Sequence, residues 1–161
     1  MSQKGNILNT NTNTNTNTPM PIKKLYILLI SCALVIVTAS LDVMFRVKDL
    51  SLFNQFLLDN NITGDPSIYL SHYISVCLSA FFTKIIIPVS FGIYTYFAYI
   101  KIRINQLYVF MWTVLNLGGL AYTVVEWQLG SVFFYVTILG YAVMLLTLLS
   151  LIDQIQEYKS K

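Results

Sequence analysis

The chain is poor in the residues that build chemistry. Its 161 residues include one histidine, two cysteines and only 11% charged side chains. His72 has no cysteine nearby and no carboxylate at helical spacing, so a metal site is not expected, and bis-histidine haem ligation needs a second histidine. Cys32 and Cys77 have no Cys-x-x-Cys companion and each lies in an apolar run, which argues for packing rather than redox work. Along a helix Cys32 lies ~12 Å from Lys24, whereas Cys77 belongs to the opposite end of the next segment. A disulfide needs Cα atoms within about 7 Å, so none is expected. No catalytic, cofactor or metal signature emerges, and no cofactor is implied.

Charge is scarce because most of the chain is meant for lipid. An ordinary soluble protein is roughly 25% charged, while this one is 56% hydrophobic. Apolar stretches run from Leu25 to Phe45, Ile68 to Ile100, Leu107 to Val125 and Leu129 to Ile152. Each matches the ~30 Å hydrocarbon core at about 1.5 Å per helical residue. The expectation is an all-α integral membrane protein: a four-transmembrane-helix antiparallel bundle with a short amphipathic outer-loop helix. Helices are predicted at about 24–46, 67–101, 106–126 and 129–152 within a membrane domain spanning 23–153. Residues 1–22 read as a disordered tail, 47–66 as the outer loop and 154–161 as a second tail.

The net charge of +3 reflects basic residues at helix ends rather than a basic face, so nucleic acid is not an expected partner. Lys4, Lys23, Lys24, Lys101, Arg103, Lys159 and Lys161 fall on one side of the four spans, and only Arg46 and Lys48 on the other. The positive-inside rule then puts both termini in the cytoplasm, with a bacterial cytoplasmic membrane as the expected location. Asp49, Asp59, Asp65 and Glu126 fall outside. Aromatic belts agree, with Tyr26, Tyr99, Tyr108 and Tyr158 near the inner interface and Tyr73, Tyr122, Trp127 and Tyr135 near the outer one.

The tail centres on five Asn-Thr repeats from Asn9 to Thr18, a polar low-complexity tract unable to bury a core. Lys23 and Lys24 before the first apolar run, and Val37-Thr38-Ala39 near its end, also fit a signal peptide, and Leu29-Ile30-Ser31-Cys32 resembles a lipoprotein box followed by the wrong, apolar residues. An uncleaved span is preferred. In the outer loop Asp49 caps a helix on which Leu50, Phe53 and Leu57 share a face, widened by Leu52, Phe56 and Leu58. Asn60 to Gly64 reads as a turn, and Asp65-Pro66 as a helix start. Lys101 to Gln106 and Glu126 to Gly130 are short connections, so the last three spans should pack in sequence order.

The second span carries the features that suggest a site. From Pro66 to Ile100 it would be about 52 Å long, overshooting the core. Lys84 lies about 25 Å from Lys101, and either snorkels to the interface or faces the bundle. Pro88 removes the partner of the Lys84 carbonyl, which predicts a hinge that Gly92 helps relax. Depth along the helices places Asp42, Lys84 and Glu126 at one level, with Arg46 and His72 above them. They are the candidate polar cluster, weighed against ordinary helix-end charges. Ser71, Ser75, Ser79 and Thr83 recur every fourth residue, and Asn116, Gly118 and Gly119 form a notch in the third span. Both are read as helix-packing surfaces, with Gly140 as the facing notch in the fourth.

Known four-pass layouts of this size are not matched in their working residues. Lipoprotein signal peptidases need aspartates late in the chain, where the fourth span has none before Asp153. Small multidrug exporters need a glutamate in the first span, and quinone-linked thiol oxidases need cysteine pairs. The leading expectation is a noncatalytic accessory or interaction subunit whose partners are the bilayer and a membrane protein or a second copy. The alternative is a small transporter or channel component using an outward-facing site around Lys84, and an integral membrane enzyme ranks below both.

Overall fold

The computed structural model describes residues 18–62, 65–126 and 131–159. The Asn-Thr repeat up to residue 17, Thr63 and Gly64 of the turn, and Trp127 with the rest of 127–130 lie outside the described residues, as does the Tyr158 side chain.

Among the described residues the chain is all-helical, and four helices are long and apolar enough to cross a membrane. α1 covers Ile22–Lys48, α2 Leu50–Asp59, α3 Pro66–Phe97, α4 Gln106–Val125 and α5 Val132–Lys159. Pro21 precedes α1 in extended conformation, and its carbonyl accepts from the Lys24 and Leu25 amides. Asp49 separates α1 from α2 and serves both. Its N–H donates to the Arg46 carbonyl at 3.2 Å, and its carboxylate accepts from the Ser51 amide at 2.9 Å and the Ser51 hydroxyl at 2.6 Å, an N-cap.

The helices meet along seams of alternating three- and four-residue spacing. In α1 the buried residues Leu25, Leu28, Cys32, Val35, Ala39 and Asp42 follow this spacing, with Ser31 and Thr38 buried beside them; in α5 Phe134, Thr137, Tyr141, Met144, Leu148, Leu151 and Ile155 do, with Gly140 and Thr147 beside them. Val109, Trp112, Asn116, Gly119 and Thr123 continue the pattern in α4, and Pro88, Phe91, Thr95 and Ala98 from α3 onward. This is the heptad spacing that keeps one stripe of each helix turned toward its neighbours. α1 packs along both α3 and α5, α4 packs along α5, and α3 meets α4 over a shorter stretch. The last three spans thus meet in chain order, α3 with α4 and α4 with α5, and α1 lies against both α3 and α5.

Close approaches use glycine selectively. A Cβ on Gly119 would lie 2.7 Å from the Tyr141 hydroxyl, and one on Gly140 2.6 Å from Val35 Cγ2, while Gly118 has nothing within 4 Å. Gly118 thus faces away from the seam, and Gly140 serves α1 rather than the Gly119 notch. Gly92 lies against α1, where a Cβ would stand 3.7 Å from Cys32 Cβ, an ordinary contact distance. α3 runs unbroken through Pro88, which is buried at a seam position where neighbouring helices hold it.

The ends differ from the sequence expectation in three ways. After Phe97 the second span closes with a π-helical turn, Ala98–Ile102, in which the Arg103 N–H donates to the Ala98 carbonyl at 2.7 Å. Arg103 then adopts φ 62°, the left-handed region, and the chain reverses into α4. Thr18 and Met20 belong to the core rather than a tail, with Pro19 exposed between them: Thr18 and Ile104 exchange backbone hydrogen bonds of 2.8 and 2.9 Å, and Met20 is buried. α5 continues to Lys159, past the expected end at 152. Met20, Leu25, Leu28, Ile104, Val109, Leu148, Leu151 and Ile155 form an apolar end of the bundle.

α2 docks through part of the apolar face read from its sequence, with Phe53 buried and Phe56 and Leu57 half-buried. Phe53 is buried, with its ring 5.3 Å from that of Tyr73, and the Phe56 ring is 5.4 Å from Tyr73 and 5.9 Å from His72. Leu50, Leu52 and Leu58 remain exposed.

Candidate functional site

The seam residues change character toward one end of the bundle. On α1 the stripe of Leu25 to Ala39 ends in Asp42 and, four residues on, Arg46. Lys84 occupies the corresponding place on α3, one spacing before Pro88. Glu126 extends the α4 stripe beyond Thr123. The heptad frame therefore brings together side chains from three helices at one level.

Lys84 Nζ lies 2.5 Å from Glu126 Oε2 and 3.2 Å from Asp42 Oδ2. Arg46 Nε donates to the same Asp42 oxygen at 3.0 Å, and Arg46 Nη2 lies 3.7 Å from Glu126 Oε2, an electrostatic contact beyond hydrogen-bond reach. The side chains of Asp42 and Lys84 are only 12% and 14% exposed, so the pairing is far less screened than a surface salt bridge. Two cations and two carboxylates make this network formally neutral. The Tyr73 hydroxyl donates to the Arg46 carbonyl at 3.0 Å, tying α3 to the end of α1.

Lys84 therefore faces the bundle and does not snorkel. Four of the five expected cluster residues, Asp42, Lys84, Glu126 and Arg46, come together. His72 is exposed and meets the Phe56 ring instead. Two small cavities flank the Lys84 side chain. One, about 10 Å³, is lined by Asp42, Lys84, Thr123, Glu126 and Thr137 among others; the second, about 20 Å³, lies toward Arg46, Cys77 and Phe81. A larger open crevice of about 910 Å³ lies beside the network, between Phe45, Arg46, Lys48 and Leu52 on one side and Val132 and Phe133 on the other.

The interior polar residues of α4 were mostly missed from sequence. Asn116 is fully buried, and its amide nitrogen donates to the Trp112 carbonyl at 2.7 Å, while its Oδ1 and the Trp112 Nε1 have no protein partner. Each such orphaned group costs about 1–3 kcal/mol. Tyr108 and Tyr73, read as belt residues, are buried as well. The Tyr108 hydroxyl pairs with Thr95 Oγ1 at 2.8 Å. Asn116 and Gly119 stood out in the sequence, but Tyr108, Trp112 and Thr123 are detectable only by extending their three-four spacing in both directions.

The Ser71, Ser75, Ser79 and Thr83 stripe points out of the bundle. All four are exposed; the hydroxyls of Ser75 and Thr83 donate to the carbonyls one turn back, at 2.9 and 3.0 Å. Among the described residues the stripe is left uncovered, because the seam of α3 lies on its other side. With Leu78, Phe82 and Ile86 three of these residues line a groove of about 650 Å³.

Cys32 and Cys77 are free thiols, and Cys32 Sγ sits 3.5 Å from Met144 Sδ in the apolar core. Among the described residues no group of three His, Cys, Asp or Glu side chains converges on a point. The chain matches no protein-family model, no curated protein and no solved structure.

Proposed function

We propose that the chain is a small noncatalytic multi-pass membrane protein, an accessory or interaction subunit of a membrane complex that presents α3 to a membrane-protein partner or a second copy. The observation that carries this reading is the bareness of α3. Only 11% of its spanning window is buried, against 33% to 39% for the other three helices. Its bare side is not uniformly greasy, as a lipid-facing surface would be, but carries the small hydroxyl residues that allow close helix approach.

In this reading the bundle is antiparallel. Lys24 with Ser150, Cys32 with Met144, Val35 with Gly140 and Phe45 with Phe133 run in opposite order along α1 and α5, which supports it. Both termini lie in the cytoplasm, as the basic residues suggest, and the ion network faces the outer leaflet. α2 is then the amphipathic outer-loop helix, with Leu50, Leu52 and Leu58 turned to the interface.

Cross-linking in native membranes tests the reading. In a chain carrying Cys32→Ala and Cys77→Ala, Ser75→Cys or Ser79→Cys treated with a short bis-maleimide yields one adduct of defined mass, and Leu146→Cys on exposed α5 yields none. Equal, monomeric labelling at all three positions overturns it.

A second reading, a transporter or channel component, draws support from the convergence of Lys84, Asp42 and Glu126. Cavities of about 10 and 20 Å³ each admit about one water. Any larger solute requires the network to open.

A further inference from the structure

α1 is longer than the hydrocarbon core is thick, so its last turn reaches past the membrane edge. Measured from Lys24, Phe45 lies about 32 Å and Lys48 about 36 Å along the helix. Phe45 thus stands where a ~30 Å core gives way to headgroups, and Lys48 within the headgroup layer. At this end the Phe45 and Phe133 rings pair across α1 and α5 with centroids 5.4 Å apart, and both line the crevice of about 910 Å³. Its walls are mainly apolar, Phe45 and Leu52 on one side and Val132 and Phe133 on the other. Phe45 and Val132 are 64% and 73% exposed, so the described residues leave the cleft open. One turn further in, Leu41 on α1 and Val136 on α5 continue the two walls by helical phase. The volume is too large for a bare ion and falls within the roughly 300–1,000 Å³ of pockets that hold organic ligands.

Four charged side chains border this crevice, and three are already committed. Asp42 and Arg46 belong to the ion network, which is neutral in itself. Asp49 spends its carboxylate on the Ser51 amide and hydroxyl at the start of α2, where the helix dipole offsets a negative charge. Lys48 is exposed and, among the described residues, has no ion-pair partner. The first turn of α5, which forms part of the opposite wall, holds no acidic residue and turns the positive end of its dipole the same way. The uncommitted charge at headgroup depth is therefore positive, and it stands over an apolar cleft. A free anion would use only the cation, and a hydrocarbon chain only the cleft. A phospholipid carries a phosphate and a chain in that order from the membrane surface inward.

We propose that this crevice is a phospholipid-binding site. The Lys48 ammonium donates to a phosphate oxygen, and one acyl chain lies between Phe45 and Val132 and runs inward along the groove where α1 packs on α5. The bound lipid joins the end of α1, the start of α2 and the start of α5. The site does not depend on which side of the membrane is cytoplasmic, nor on α3 binding a partner.

The test is native mass spectrometry of the full chain in a mild detergent, titrated with dioleoyl phosphatidylglycerol. Wild type takes up one lipid saturably. Dioleoylglycerol keeps the chains without the phosphate, and glycerol phosphate keeps the phosphate without the chains; each binds at least about tenfold more weakly, which corresponds to about 1.4 kcal/mol. Lys48→Gln weakens uptake of the phospholipid about tenfold, and so does Val132→Trp, which fills the crevice from an exposed position. Lys101→Gln, which removes an exposed cation at the opposite end of the bundle, binds as wild type. Should Val132→Trp fail to fold, Lys48→Gln set against Lys101→Gln decides alone. In liposomes, phosphatidylglycerol with a diazirine on its chain cross-links to the peptides holding Phe45 and Val132. Uptake without saturation overturns the proposal, as does equal weakening by Lys48→Gln and Lys101→Gln. Either control compound binding as tightly as the phospholipid, a folded Val132→Trp protein with undiminished uptake, or cross-links only to other peptides or to a copurified protein overturns it as well.

Discussion

The ammonium of Lys84 lies 2.5 Å from Glu126 Oε2, joining α3 to the end of α4 across 42 positions of sequence, in a setting where each side chain is less than a fifth exposed. A buried pair of this kind is weak evidence for stability in itself, but removing one partner strands the other.

Lys84→Leu should destabilise the folded protein by about 3 kcal/mol, since Arg46 is left to face both carboxylates. Lys84→Leu with Glu126→Leu should recover about 2 kcal/mol of that loss, because neutrality returns with Asp42 still paired to Arg46. Thermal or denaturant unfolding in a fixed detergent measures the cycle. Additive losses would mean that the two groups do not interact.

Glycine substitutions should separate seam from surface. Gly119→Ala and Gly140→Ala place a methyl against Tyr141 and Val35 at 2.7 and 2.6 Å, costing about 1–3 kcal/mol each. Gly118→Ala should change stability by no more than about 0.5 kcal/mol. Melting curves of the three variants check the order.

The cap at Asp49 should respond to acid. Hydrogen bonds from the Ser51 side chain and amide hold its carboxyl below the usual aspartate range. A carboxyl depressed on folding contributes stability above its unfolded pKa of about 3.9, and that contribution fades as pH falls through the lower folded value. Exchange protection of the Ser51 amide should therefore hold near neutrality and drop in the acid range below about pH 4. The acid step should be missing in Asp49→Ala; its persistence there would assign it to another group.

Met20 offers a test of the strap before α1. It is 5% exposed although it precedes the first helix, so Met20→Ala should cost about 2–3 kcal/mol. Tyr26→Ala, on the lipid-facing side of α1, should cost much less in the same detergent.

The spans and the level of the charged residues were legible because apolar run length and helical rise depend on local sequence alone. Whether Lys84 turns inward was not settled by depth, since a snorkelling lysine and a paired one occupy the same height. The information lay in phase. Lys84 precedes Pro88, Phe91, Thr95 and Ala98 in one three-four frame, as Asp42 follows Val35 and Ala39. The Ser71 to Thr83 repeat follows a strict period of four, which drifts off that seam and leaves it on the bare side. Thr18 and Met20 were not legible as core, because their partner Ile104 is brought to them by the π-helical turn and the left-handed Arg103, neither of which apolar spacing encodes.

The neutrality of the network has an electrical consequence. A membrane potential acts with about 2.3 kcal/mol per elementary charge per 100 mV, and on two cations balanced by two carboxylates those forces cancel. Voltage therefore has no net purchase on this end of the resting bundle. Removing one of the four charges, as Lys84→Leu does, ends the cancellation and leaves one negative charge in the field, so that variant should respond to the potential where the parent protein does not.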